Sequence, residues 1–306
     1  MQSDVSAPAR PMIGLIDFHS QSDTERCIDS ILATAAEDID IVVVDNGQDF
    51  QSDDPRVRTI RPHRNVGFAG GCNLLLSSAR DSDAPWLWLL NNDCTLEEGW
   101  PEHLSVALQR SAADLVTTVT LLGDSDRVWF GGGEYREKTN RQHHAYYGED
   151  IANVSLPEIS ATAWASGANI VVRRHVLEAN LPFDEDLFLY REEFDWQRRN
   201  RLTVDLVGWP LVRHYAGSTT GTTGGNLEAY FSARNSWVTG HRYLSRSNLP
   251  LFRGAWLWDF VLKPVLRRDW TAARAAYLGW RNRHVAGHAA LESYISLSRA
   301  NTEGTP

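Results

Sequence analysis

Polar side chains follow three apolar runs of this sequence at the point where each run ends. Asp17 follows the first run, Asp45 and Asn46 follow the second, and Asn92 and Asp93 follow the fourth. Carboxylate and amide oxygens suit a hard divalent cation such as Mg²⁺ or Mn²⁺, which also keeps phosphate oxygens as ligands. A carboxylate at such a position can hold a metal against a diphosphate leaving group. Because Asp is also common in turns and helix caps, this pattern alone leaves a structural role open.

A second acidic group lies in the run from 183 to 199 and consists of Glu192, Glu193 and Asp195. A carboxylate there can take a proton from an attacking hydroxyl as general base. The alternative is a solvated helix N-terminus, where acidic residues are favourable, and the residues alone favour that alternative. Tyr190 and Trp196 flank the carboxylates and can stack on a sugar, although aromatic residues usually belong to the core.

The elements around these residues alternate between strands and helices. Apolar, β-branched runs predict strands at residues 12–18, 39–46, 57–60, 85–93 and 114–122. Helical spacing predicts helices at residues 22–36, 67–80 and 97–110. This order is typical of a doubly wound α/β sheet, in which ligands bind beyond the carboxyl ends of the strands. Residues 123–160 predict hairpins and loops, and the chain from about 228 onward predicts helices.

The glycine-rich segment from Gly67 to Gly71 begins one of these helices. It is not a GxGxxG sequence and therefore does not support a dinucleotide-dependent dehydrogenase. Two interpretations remain, namely close approach of a nucleotide to the backbone and close packing of the helix.

Composition excludes several classes of protein. Apolar residues make up 42% and charged residues 23% of the 306 residues, and the net charge is −9, so the chain is not a typical nucleic-acid binder. Cys27, Cys72 and Cys94 form no CxxC pair, which argues against a zinc site or a disulfide framework and favours a reducing cytoplasm. The polar first ten residues do not resemble a secretion signal, and no apolar run is long enough to span a membrane.

Residues 249–270 mix large apolar residues with Lys263, Arg267 and Arg268. Nine Lys or Arg residues and two Asp residues lie between Arg242 and His284, so the rest of the chain carries about −16. The favoured interpretation is a helix that packs on the main domain or on a dimer partner. The alternative is an interfacial helix on anionic lipid.

Several motifs together resemble family 2 glycosyltransferases, which have the GT-A fold. The resemblance covers roughly residues 11–235 and is closest to bacterial rhamnosyltransferase-like members. The motifs are VVVDNG at 42–47, RNVGFAGGCN at 64–73, LLNNDC at 89–94, SGANIVVRRHVLE at 166–178, FDEDLFLYREEFDWQRR at 183–199, HYAGS at 214–218 and YFSARNSW at 230–237.

The resemblance implies a role for each matching residue. Those implied to bind the donor nucleotide are Asp17, Asp45, Asn46, Asn65, Gly67, Asn73 and Asn92. Asp93 and His214 are the implied ligands of Mg²⁺ or Mn²⁺, and Glu193 is the implied catalytic base, with Glu192 and Asp195 as alternatives. Those implied to form the acceptor or sugar pocket are Trp164, Ser166, Gly167, Tyr190 and Trp196.

The resemblance predicts an inverting transfer of a hexose or deoxyhexose from a UDP- or dTDP-sugar to a hydroxyl of a glycan, a lipid-linked glycan or a natural product. We expect a GT-A catalytic domain at 1–235, with a donor half at 11–122 and an acceptor half at 123–235, and a helical extension at 236–306. We expect a cytoplasmic enzyme and leave open contact with the inner face of the membrane through the C-terminal helices, and a homodimer.

Two departures from the family pattern weaken these expectations. The metal motif is Asn-Asn-Asp, so only Asp93 supplies charge, and the base motif is Glu-Glu where the family usually has Glu-Asp. One alternative is a sugar nucleotidyltransferase, but the segment DFHSQSDTER at 17–26 lacks the glycine-rich phosphate loop expected of that class. A non-catalytic nucleotide-sugar-binding module is the other alternative.

Overall fold

The computed structural model describes residues 10–34, 39–215 and 226–302. Four parallel strands form its first half: β1 (Met12–Asp17), β2 (Asp40–Asp45), β3 (Val57–Ile60) and β4 (Trp86–Leu90). They lie in the order β4-β1-β2-β3. The apolar residues of β2 and β4 are almost all buried, as is usual for parallel strands covered by helices on both faces.

Three helices cover the two faces of this half: α1 (Gln21–Thr34), α2 (Gly67–Asp81) and α3 (Trp100–Arg110). α1 and α3 pack Ile31 and Leu104 into one apolar cluster, and α2 packs Leu75 into the cluster on the other face. The alternation of strands and helices predicted for residues 12–122 is confirmed. The short strand β5 (Cys94–Leu96), directly after Asp93, was not predicted.

The second half adds mixed strands to the same sheet. They are β6 (Leu115–Leu122), β7 (Val128–Phe130), β10 (Ile159–Ala161), β11 (Asn169–Arg173) and β12 (Val204–His214). The sheet continues in the order β10-β12-β6-β11-β4, with β11 antiparallel to both of its neighbours and β12 parallel to β6. A separate hairpin of β8 (Gly133–Arg136) and β9 (Arg141–His144) lies in the region predicted to contain hairpins.

Helices follow on the acceptor side and at the C-terminus. They are α4 (Arg174–Glu178), α5 (Glu192–Arg199), α6 (Leu227–Tyr243), α7 (Leu249–Leu257), a π-helical turn (Trp258–Leu262), α8 (Lys263–Leu266), α9 (Trp270–Arg281) and α10 (Gly287–Thr302). The expected domain boundary between 235 and 236 lies inside α6, so no linker separates the two parts at that point. Among the described residues, no helix is long and apolar enough to cross a membrane.

Candidate functional site

Asp93 and His214 lie side by side although they are far apart in sequence. β5 pairs antiparallel with the end of β12, in a register that puts His214 opposite Cys94. His214 Nε2 consequently lies 3.1 Å from Asp93 Oδ1, and both side chains are buried. The indole of Trp129 packs edge-on against the imidazole with ring centroids 4.2 Å apart, which fixes the position of His214.

Asp93 Oδ1 and His214 Nδ1, the imidazole nitrogen that does not contact Asp93, are both buried without a hydrogen-bond partner. Such atoms are costly unless something binds them. Asp93, Cys94 and His214 bring one potential ligand atom each to within 4.8 Å of one another. Cys94 Sγ contacts Ala168 O at 3.8 Å and is a soft ligand. The oxygen and nitrogen atoms of Asp93 and His214 therefore fit Mn²⁺ or Mg²⁺ better than the thiol does.

Asp17 lies at the end of β1 and contacts Asn92, the residue before Asp93. Its Oδ1 accepts hydrogen bonds from Thr24, Ser20 and Asn92, whereas Oδ2 has no partner. Burial raises the pKa of this carboxyl, and the donated hydrogen bonds oppose that rise. Asn92 also donates to Ser20 Oγ at 2.6 Å and Thr24 Oγ1 at 2.8 Å. The Asn92 amide thus links the segment after β4 to the end of β1 and the start of α1. The polar atom left without a partner here is Asp17 Oδ2.

Asp45 is fully buried, and its carboxylate oxygens are engaged. They accept hydrogen bonds from the backbone nitrogens of Asp49 and Phe50 and from Arg61 Nε at 3.0 Å. Asn46 holds the segment that leads into α2, because its side chain bonds Val66 N and Gly67 O. These residues shape the loops at the carboxyl ends of β1 and β2.

Gly67 lets two loops come into close contact. Its φ is +73°, and a Cβ there would lie 2.5 Å from Phe188 O. Asn65 Oδ1 accepts from Gly67 N, and Phe188 O accepts from Phe68 N and Ala69 N. The first amides of α2 are therefore used by the protein itself and do not bind a phosphate. Of the two interpretations of the glycine segment, close packing is the one this geometry supports.

Asn73 makes a second connection between α2 and the acceptor side. Its amide bonds both backbone groups of Phe183 and the carboxylate of Glu185. Because the side-chain amide of Asn73 is bonded to other residues of the protein, the geometry argues against its expected role as a contact of the donor nucleotide.

Glu192 and Glu193 begin α5 next to each other. Glu192 is buried with Oε2 unpaired, and burial and the neighbouring Glu193 raise its pKa well above the usual range. Glu193 remains partly exposed, and desolvation by the surrounding protein raises its pKa too, although Arg191 acts in the opposite direction. A carboxylate with a raised pKa is a stronger proton acceptor, which is what a general base requires.

The loop before these carboxylates has an unusual backbone. Phe188, Tyr190 and Arg191 have φ values of 62°, 65° and 70°, in the left-handed region that costs energy for residues other than glycine. Asn235 of α6 holds the loop, because its side-chain nitrogen donates to the backbone oxygens of Leu187, Leu189 and Tyr190 at 2.7 to 2.8 Å. Neither these conformations nor the function of Asn235 was foreseen, although its motif at 230–237 was.

Asp195 lies close enough to contribute to the raised pKa of Glu192, but its own oxygens are engaged. It is fully buried, and its oxygens bind Tyr243 at 2.6 Å, Arg242 and Arg199. With its oxygens occupied by cations and a hydroxyl, it is poorly placed to accept a proton from an acceptor. The geometry leaves Glu193 and Glu192 as the candidates.

The expected acceptor residues separate into two groups. Trp196 is fully buried, stacks on Phe183 and donates to Leu181 O, so it offers no face to a sugar. Trp164 is likewise buried, and its indole nitrogen donates to Glu134 O. Both are core residues, and their burial argues against the expected role in a sugar pocket.

The other three expected acceptor residues, Ser166, Gly167 and Tyr190, lie near the carboxylates of Glu192 and Glu193. A Cβ on Gly167 would lie 3.7 Å from Glu193 Cβ, so Ser166 and Gly167 border the expected base. Tyr190 lies close enough for Glu192 and Asp93 to raise its pKa, although burial is the larger cause. The last three residues of the motif at 214–218 lie outside the described residues.

Residues 18–168 match the model of glycosyl transferase family 2. The fold is the GT-A fold of glycosyltransferases. GalNAc-T7, crystallised with UDP, GalNAc and Mn²⁺, superposes with a TM-score of 0.53 at 13% identity, over 82% of this chain and 55% of that chain. TarS of S. aureus superposes with a TM-score of 0.50 at 11% identity, over 81% of this chain and 43% of that chain.

The chain thus spans only about half the length of these two proteins. At such low identity the likeness concerns the fold alone. No curated protein matches the sequence. The family supports glycosyl transfer as the reaction class, ahead of the sugar nucleotidyl transfer and simple sugar binding considered from the sequence.

Proposed function

We propose that this protein is an inverting glycosyltransferase that takes a hexose or deoxyhexose from a UDP- or dTDP-sugar, with Glu193 as the base and Asp93 and His214 as metal ligands. One observation carries the proposal. Eight buried side-chain polar atoms of the described residues lack a hydrogen-bond partner, and four of them belong to Asp17, Asp93, Glu192 and His214. Unpaired polar atoms in one region indicate a site that a ligand completes.

Each of these residues has a task in a single displacement. Glu193 accepts the proton of the acceptor hydroxyl as that oxygen attacks the anomeric carbon from the face opposite the leaving group. Desolvation by the surrounding protein raises the pKa of Glu193, which increases its proton affinity. Asp93 and His214 would hold the divalent cation, which when bound supplies charge compensation to the leaving diphosphate.

The donor side is built from the loops after β1 and β2. The free oxygen of Asp17 faces the ends of these strands, and Asp45, Asn46 and Asn65 keep the loops in place through the bonds described above. The presence of UDP and Mn²⁺ in the GalNAc-T7 structure supports a nucleoside diphosphate and a divalent cation for this fold.

The test is a thermal-shift panel of UDP, dTDP and GDP with and without Mn²⁺, followed by turnover of the stabilising nucleotide's sugar. We expect one pyrimidine nucleotide to stabilise the protein only with metal. The product's anomeric configuration, read from the proton coupling constant in NMR, should be opposite to that of the donor. Retention of configuration, or stabilisation by no nucleotide, would refute the proposal.

In the same assay, Glu193→Gln should bind the nucleotide normally and lose about 10²–10⁴-fold in kcat. Near-normal turnover of this variant, together with inactivity of Glu192→Gln, would move the base to Glu192.

A further inference from the structure

A cavity of about 430 Å³ lies between the β8–β9 hairpin and the π-helical turn. Three of its lining residues, Thr139, Gln142 and His143, each have a buried side-chain polar atom without a hydrogen-bond partner. Together with the four at the transfer site, they account for seven of the eight such atoms in the described part of the chain. Unpaired hydroxyl and amide donors beside a cavity suit an anionic oxygen-rich ligand.

The charge of the lining agrees with such a ligand. The lining contains three cations, which are Arg141, Arg191 and Lys263, and one carboxylate, which is Asp259. Arg141 is paired with Asp259 through two bonds of 2.7 and 2.9 Å. Arg191 and Lys263 form no salt bridge with another described residue, so the cavity keeps two positive charges. Burial lowers the pKa of Arg191 to about 10, and it stays protonated at neutral pH.

An exposed apolar surface adjoins the cavity at Trp258. Seven of the ten exposed large apolar side chains of the described residues lie on α7, the π-helical turn, α8 and α9. They are Leu251, Leu257, Trp258, Leu262, Leu266, Trp270 and Tyr277, named here the apolar face. Trp258 belongs to both the face and the cavity lining, and Lys263 lies between Leu262 and Leu266.

The charges around the apolar face favour anionic lipid over a second copy of the chain. The segment from Arg242 to His284 carries nine Lys or Arg residues against two Asp, whereas the rest of the chain carries about −16. A symmetric dimer through this face would bring two like-charged segments together. An anionic bilayer would attract this segment and repel the rest, which orients the protein. Exposed Trp and Leu residues among cations are typical of interfacial helices.

We propose that the cavity binds the phosphate group of a membrane-anchored acceptor whose apolar chain lies along the apolar face. The proposal rests on the proposed transferase function and names its acceptor class. Arg191 lines the cavity and directly precedes Glu192 and Glu193, so a phosphate held there places the adjoining sugar hydroxyl near the base. The open choice among glycan, lipid-linked and natural-product acceptors is thereby narrowed to the lipid-linked class.

Vesicle flotation tests the face. The wild type should float with vesicles of phosphatidylglycerol and phosphatidylcholine, and far less with phosphatidylcholine alone. Replacing Lys263, Arg267 and Arg268 by Gln should lower the partition coefficient about a hundredfold, since each basic residue contributes roughly fivefold. Leu262→Ser with Leu266→Ser should also lower it. The matched controls are Arg110→Gln and Tyr147→Ser, which change an exposed cation and an exposed aromatic residue outside the face.

Calorimetry in EDTA tests the cavity, because metal-dependent binding at the donor site is then silent. Farnesyl diphosphate should bind the wild type, and Gln142→Leu and Lys263→Gln should weaken it at least fivefold. Inorganic pyrophosphate should bind more weakly than farnesyl diphosphate. Equal affinity of the two would show that a free phosphate compound is the ligand and would overturn the lipid assignment.

Two further outcomes are decisive. Light scattering tests for a dimer. If the wild type forms a stable dimer, the double variant Leu262→Ser with Leu266→Ser dissociates it, and vesicles are not bound, the face belongs to a second copy of the chain.

Nucleotide binding with Mn²⁺ is measured in the same variants and should be unchanged. Its absence in a wild type that still binds vesicles and farnesyl diphosphate would refute the transferase function and leave the lipid site standing.

Discussion

The side-chain nitrogen of Asn235 lies 2.7 Å from the backbone oxygen of Tyr190, two residues before Glu192. A helix outside the sheet therefore holds the loop that carries the candidate base. The same nitrogen also binds the backbone oxygens of Leu187 and Leu189. These bonds offset the cost of the positive φ angles that turn the chain into α5.

Asn235→Ala should lower kcat by at least about tenfold, because misplacement of a base by a fraction of an ångström has such effects. Nucleotide binding with Mn²⁺ should be retained, since Asn235 contacts none of the residues at the strand ends. Unfolding should cost about 1–3 kcal/mol less than in the wild type. Steady-state kinetics and chemical denaturation measure the two effects. Asn282→Ala is the matched control, because that amide bonds only Tyr230 and Ser293. Equal loss of activity in the control would contradict a positioning role.

Asp93→Asn should abolish the metal-dependent part of nucleotide binding while it preserves the shape of the side chain. We expect the affinity with Mn²⁺ to fall at least about tenfold, and the weaker affinity in EDTA to stay the same. Titration calorimetry measures both. Asp124→Asn is the control, because that exposed carboxylate receives only the hydroxyl of Tyr215. Unchanged affinity with Mn²⁺ in Asp93→Asn would remove this residue from the metal site.

The raised pKa of Glu193 predicts the pH dependence of the reaction. A general base acts in its deprotonated form, so activity falls as the pH drops through the pKa of the base. Because desolvation shifts that pKa upward, kcat/KM should begin to fall at a pH above 4.5, the ordinary value for glutamate. The pH–rate profile of the wild type checks this. Full activity down to pH 4.5 would mean that no desolvated carboxylate is required.

Glu192 should lower stability at neutral pH. Its pKa is higher in the folded protein than in the unfolded chain, so the folded state binds the proton more tightly. Stability is therefore lost as the pH rises from the unfolded pKa toward the folded one. Glu192→Gln removes this penalty and should raise Tm more at pH 8 than at pH 5. Scanning calorimetry at both values tests this, with Glu149→Gln as the exposed control. An equal change in Tm at both pH values would contradict the assignment.

The sequence by itself determined the alternating elements of the first half, because the periods of apolar residues in strands and helices are local properties. Its ordered motifs also predicted the family whose model matches residues 18–168. The sequence did not predict β5, whose three residues are too short for a recognisable pattern, nor the antiparallel insertion of β11 between β4 and β6.

Tertiary structure decided which polar and aromatic residues are free to act. The sequence predicted nucleotide contacts for Asn73 and Asn92 and an alternative base in Asp195. In the structure, the side chains of these residues form hydrogen bonds with residues distant in the chain. Trp164 and Trp196 are of the residue type that stacks on sugars, but both are core residues. The sequence could not distinguish the two functions, because sugar stacking and core packing favour the same side chains. His214 reaches Asp93 only through the pairing of β5 with β12, and such long-range register is not encoded in any local pattern.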